Sequence, residues 1–240
     1  MRKTERTASG RWAGAGREGS MWKLPVILGL TLAVAGGQEE TSDKRLRDAA
    51  EVLQEIMSAP DKGIPQELLE KAKCVIIVPG LKKGAFLVGA DYGRGYAVCR
   101  SGGSWSGPAA IRVGGGSFGA QLGLESSDLV LLVMNQKGMD RLTSDKFTIG
   151  ADASAAVGPI GRTVVAATDA SLTAEILSYS RSKGAFAGVA LNGTTITPDH
   201  GEDRKLYGRD VSTRDILRGQ VGSPDAAKEL LAVLNQYSRP

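Results

Sequence analysis

The chain is poor in the residues that usually carry chemistry. Among its 240 residues are one histidine, His200, and two cysteines, Cys74 and Cys99. Two cysteines and one histidine without ligand spacing exclude a zinc cluster. Long hydrophobic runs are missing too: the apolar stretch Leu24–Leu32 falls short of the roughly 20 residues that a spanning helix needs. A surplus of one charge is also absent from most of the chain. The formal net charge is +4, and residues 1–35 alone hold six Lys and Arg against Glu5 and Glu18. Residues 36–240 are therefore balanced, 24 cations to 24 anions. Nucleic-acid binding, which needs clustered cations to displace counterions, gains no support. No acidic run matches a calcium-binding loop, and Asp199, Glu202 and Asp203 read as a solvated polar loop around His200.

What is present begins with a leader. Met21-Trp22-Lys23, the apolar run and Ala33-Val34-Ala35 have the charged start, short core and A-x-A site of a secretory signal peptide. Residues 1–20 read as an upstream extension, 21–35 as the signal, 36–42 as a linker and 43–240 as one domain. The expected location is exported, periplasmic or secreted, and peripheral to a membrane. No cysteine near the cleavage site suggests a lipid anchor. In such a compartment Cys74 and Cys99, both in strand-like runs, are candidates for a disulfide, with buried free thiols as the alternative.

Residues 43–58 place Leu46, Ala49, Ala50, Leu53, Ile56 and Met57 on one helical stripe, and "IPQELLEKAK" restarts a short helix. From Cys74 onward strand-like runs follow, with Gly93-Arg94-Gly95 and Ser101-Gly102-Gly103 as turns. A short helix is expected near 138–145. Helical "STRDILRG" and "SPDAAKELLAVLNQY" close the chain, the last with Ser223 as N-cap and Pro224 at its first position. The fold class is α+β: a largely antiparallel β-sheet with helices at the N- and C-terminal ends. Closure of the sheet into a barrel would remove its edges, and the sequence leaves that question open.

"IRVGGGSFGAQLG", residues 111–123, fits two famous patterns. Gly114, Gly116 and Gly119 spell the dinucleotide fingerprint, but a helix-poor segment follows and no βαβ unit surrounds it. Gly115, Ser117 and Gly119 spell a nucleophile elbow, and His200 follows in permissible order with Asp152 or Asp169. A hydrolase using Ser117 and His200 is thus an alternative function, although the required strand–turn–helix is absent. No catalytic residue and no cofactor are assigned. The glycines read as backbone clearance in a crowded sheet.

"KGAFLVGADYG" (83–93) and "KGAFAGVALNG" (183–193) echo each other at an offset of 100. Each reads as a hairpin entry, and each sets a lysine beside an aromatic, a pairing suited to a membrane interface. Taken with "CVIIVPGLKKGAF", "GRGYAVCR", "DLVLLVMN", "GADASAAVGPIGR" and "SYSRSKGAFAGV", the chain resembles the SYLF domain family over about residues 45–238. The resemblance implies a lipid-binding module, with phosphoinositide binding in eukaryotic members and actin regulation in the yeast ones. Bacterial members that the chain resembles stand alone behind an export signal. The expected function is non-enzymatic recognition of an anionic phospholipid headgroup at a membrane surface. A structural or partner-binding envelope protein is a third reading, its protein partner unknown. Phosphate wants Arg forks and Lys, so the headgroup candidates are Lys82, Lys83, Arg162, Arg181 and Lys183, with Phe86, Phe186 and Leu46 as interfacial contacts.

Overall fold

The computed structural model describes residues 41–59, 63–86, 88–117, 123–144, 146–161, 173–182 and 185–238. Expectations for the leader, and for Arg162, Asp169 and Lys183, lie outside them, as do those for the side chains of Lys83, Phe86 and Ser117.

Helix α1 (Ser42–Ser58) starts where Thr41 Oγ1 accepts the Lys44 amide at 3.3 Å. Its stripe buries Leu46, Ala49, Ala50, Val52, Leu53 and Ile56. Helix α2 (Gln66–Lys71) follows Pro65. Two long strands come next, β1 (Cys74–Phe86) and β2 (Val88–Ser101), then β3 (Ser104–Trp105), β4 (Ala109–Ser117) and β5 (Gly123–Val133). Helix α3 (Gln136–Leu142) leads to β6 (Phe147–Thr148) and β7 (Ala155–Val157). After these come β8 (Ile176–Ser182), β9 (Ala185–Gly188) and β10 (Thr195–Pro198). Helices α4 (His200–Tyr207), α5 (Thr213–Leu217) and α6 (Lys228–Tyr237) complete the chain.

The sheet runs β6-β10-β4-β2-β1-β5-β8-β7, with β3 beside β2 and β9 beside β8. Among the described residues the named strands pair antiparallel except β7 with β8, and one isolated bridge, Ile149 with Ala153, is also parallel. The path has two ends, so among the described residues the sheet is a curled half-barrel rather than a closed ring. Both faces are buried through its middle. Val75, Ile77, Tyr96, Val98, Val130 and Leu132 pack under α1, α2 and α6. The alternating residues Ile76, Val78, Ala97, Ile111, Leu129 and Leu131 pack with Phe147, Ile196, Ile216 and Leu217. Burial on both sides is why CVIIV and LVLLV read as unbroken apolar runs. Cys74 and Cys99 are cross-strand partners in this second core, joined as a disulfide.

Three local expectations need correction. Gly93-Arg94-Gly95 is no turn: it runs straight through β2. A Cβ on Gly95 would lie 2.0 Å from the Ile77 carbonyl oxygen, so the glycine serves close approach instead. It lies against a bulge in β1, where the register jumps between Ile77 and Lys82 and Gly80 takes φ +59°. The KGAF echo is not a structural repeat either. Gly93 is mid-strand while Gly193 turns at φ +85°, and the second Ala-Phe begins β9 rather than ending a strand. Finally, the last helix starts through a 3₁₀ turn at Asp225–Ala227, with no side-chain cap from Ser223.

Candidate functional site

The segment "TPDHGEDRK" is not a solvated loop. Asp199 caps α4 by accepting the Glu202 amide at 3.2 Å, and Gly208 ends the helix at φ +67°. Asp199, Glu202 and Asp203 are buried, and each is engaged. Glu202 Oε1 accepts from Arg45 Nη1 at 2.8 Å and from Ser42 Oγ at 2.7 Å, tying α4 to the start of α1. Asp203 Oδ1 accepts the Ala110 amide at 2.7 Å. Its burial, opposed by that amide and reinforced by Asp199 and Glu202, pushes its carboxyl up to about 7. Burial pushes Asp199 up as well. The Arg112 hydrogen bonds, the Glu202 amide and the charges of Arg112 and Arg94 outweigh that and hold it below the usual range.

Around this cluster the helical layer stops, and part of the sheet's helix-side face lies open. Strand alternation places the residues there. Leu81, Val113 and Ile196 point into the far core, so Lys82, Arg112, Gly114, Thr195 and Thr197 point the other way. Register aligns Lys82 on β1 with Tyr92 on β2, Tyr92 with Gly114 on β4, and Gly114 with Thr195 on β10. One step along, Arg94 faces Arg112 and Arg112 faces Thr197. Tyr92, 52% exposed, walls an open groove of about 370 Å³ with Arg112 and Lys146. Gly114 and Gly115 line it without side chains, and Thr195 and Thr197 add hydroxyls. The arrangement can hold an anion among donors. Among the described residues no group of His, Cys, Asp and Glu is arranged for a metal.

The expected site residues fare differently. Lys82 is exposed beside Tyr92 and joins the open face. Arg181 shares that face one strand beyond β5, but it is neutralised: its Nε donates to Asp128 Oδ2 at 2.6 Å, and it also pairs with Glu55. Its guanidinium lies 5.5 Å from the Phe186 ring, which is itself buried in the first core. Leu46 is fully buried on the inner face of α1. Phe186 and Leu46 therefore contribute core packing and no interfacial face. The hydrolase pairing fails on register. Pro198 sits opposite Ile111, and β10 runs antiparallel to β4, so His200 continues away from Ser117. The two are separated by about 20 Å or more at 3.3 Å per residue. Sequence reasoning missed Tyr92, Arg94, Arg112 and Lys146. The D-x-x-E spacing of Asp199 and Glu202, with Gly208 beyond, was the available signal for the helix that anchors them.

Comparison with known proteins agrees with the fold-level resemblance. The Ysc84 family model, described as Las17-binding protein actin regulator, matches residues 114–237. Human SH3 domain-containing YSC84-like protein 1 is 34% identical over 199 residues, covering 80% of this chain and 58% of that protein. LAS seventeen-binding protein 3 of Saccharomyces cerevisiae is 36% identical over 178 residues, covering 72% of this chain and 39% of that protein. The match to the rat YSC84-like protein 1 likewise spans 58% of its length, at 33% identity. The family description and the yeast name speak of binding and regulation. The chain belongs to the Ysc84 family, the SYLF domain family.

Proposed function

We propose that the domain is a non-enzymatic module of an exported protein that binds anionic phospholipid headgroups at a membrane surface. The observation that carries this reading is the open cationic groove, where Arg112 and Lys146 flank a glycine floor beside Tyr92, with Lys82 on the adjoining strand. Cations next to an amphipathic ring are the chemistry of a headgroup layer. No described helix is long and apolar enough to cross a membrane, which fits a peripheral contact and says nothing of strands. A disulfide between Cys74 and Cys99 suits an oxidising compartment, as export requires.

Sedimentation with vesicles tests the reading. The chain is expected to pellet with vesicles rich in anionic lipid and to stay in solution with neutral ones. Lys82→Glu combined with Lys146→Glu alters two exposed side chains and leaves the buried ion cluster alone. At about 1 kcal/mol per cation near an anionic surface, the double reversal weakens binding by tenfold or more. Absence of binding to either vesicle type would overturn the lipid reading and leave a protein partner as the ligand.

A further inference from the structure

The cations of the groove are not equivalent. Arg94 and Arg112 are direct cross-strand partners, and like charges so placed repel. Asp199 resolves the conflict. Its Oδ1 accepts from Arg112 Nη2 at 2.6 Å and its Oδ2 from Arg112 Nε at 2.7 Å, while Arg94 Nε lies 3.5 Å from Oδ2. Arg94 Nε also donates to Tyr92 Oη at 3.1 Å, linking the pair to the groove wall. The carboxylate side chain is 3% exposed and the Arg112 side chain 45%. Asp199 thus grips the Nε–Nη2 edge of the Arg112 guanidinium, while the half-exposed side chain also lines the groove. A gripped guanidinium is a fork of fixed direction, whereas Lys146 in the same groove is a mobile point charge.

Resting on the reading of this groove as the headgroup site, we infer that it selects a terminal phosphate monoester over a diester, and that Asp199 is the positioning residue behind that selection. A monoester carries close to two charges near neutral pH and three unesterified oxygens. It can therefore meet the Arg112 fork with two oxygens and Lys146 with the third, and a diester lacks the third. Planar bidentate donation is what a fixed guanidinium adds to simple charge.

Phosphatidylcholine vesicles carrying phosphatidic acid or phosphatidylglycerol at equal mole fraction test this with the full chain. The wild type is expected to prefer phosphatidic acid several-fold. Asp199→Asn keeps the size and a capping oxygen but adds one net positive charge. If charge alone governed binding, both vesicles would hold the variant as tightly or more so, with the preference intact. The expected result is a preference falling toward unity. A merely structural defect would weaken both lipids alike and leave the ratio unmoved. Arg112→Lys, which keeps the charge and removes the fork, gives the same readout should Asp199→Asn not fold. Equal binding of the two lipids by the wild type, or an unchanged ratio in both variants, overturns the inference and leaves the membrane reading standing. Glycerol 3-phosphate supplies the lipid-free arm. A thermal shift in the wild type that is lost in Arg112→Lys, without vesicle binding, upholds the monoester site and sinks the membrane reading.

Discussion

Asp203 shows how one buried side chain ties stability to pH. It is fully buried with one short hydrogen bond, from the Ala110 amide, and its carboxyl rises from 3.8 to about 7. Between those values the native state holds a proton that the unfolded chain releases. The stability contributed is complete below about pH 4 and is lost as pH rises through about 7. Urea midpoints of the wild type should therefore fall between about pH 5 and about pH 8. The Asp203→Asn variant should show a flatter profile. The difference amounts to a few kcal/mol at most, at about 1.4 kcal/mol per unit. Asp199, held below its usual range, acts in the opposite sense: its contribution disappears only in stronger acid. None of this was legible in "TPDHGEDRK", where five charged residues in a row of nine suggest solvent. Burial of that segment depends on Arg45, Arg94 and Arg112, which lie far away along the chain.

Elements were legible in proportion to how local their cause is. The α1 stripe follows from helical spacing, and Ser101-Gly102-Gly103 does turn, with Gly102 at φ +58° and Gly103 at +84°. Gly93-Arg94-Gly95 has the same look and a different cause, since Gly95 clears the Ile77 carbonyl on the neighbouring strand. Only the pairing partner distinguishes the two cases. Gly95→Ala should accordingly destabilise the fold by about 1–3 kcal/mol, the usual penalty for forcing extra volume into a packed site. Gly102→Ala, whose Cβ would meet nothing within 4 Å, should cost only the strain of its positive φ. Chemical denaturation of the two variants separates clearance from turn conformation. The open face was illegible for a related reason. Lys82, Tyr92, Arg112, Lys146 and Thr195 come from five segments, brought into line by register and by the bulge after Ile77. Of the cations named from sequence, Lys82 stands there and Arg181 stands on the same face already paired.

For the molecule as a whole, the α+β class and the antiparallel bias follow from helices at both ends and strands between them. The half-barrel, with two cores rather than one, does not. The disulfide joins the first strands of that sheet across a sequence separation of 25. Closing such a loop stabilises a fold by about 3 kcal/mol in the chain-entropy view. Replacing both Cys74 and Cys99 by Ala should lower the thermal midpoint, and reductant should lower that of the wild type but not of the variant. Burying both faces has a further consequence for any encounter with a bilayer. Among the described residues the sheet has no broad face to lay down, only the strip that the helices leave uncovered. A single copy would therefore touch few headgroups, and its residence time on a membrane would be short. Durable attachment would come from several copies acting together, so that avidity rather than the single contact sets how long the protein stays.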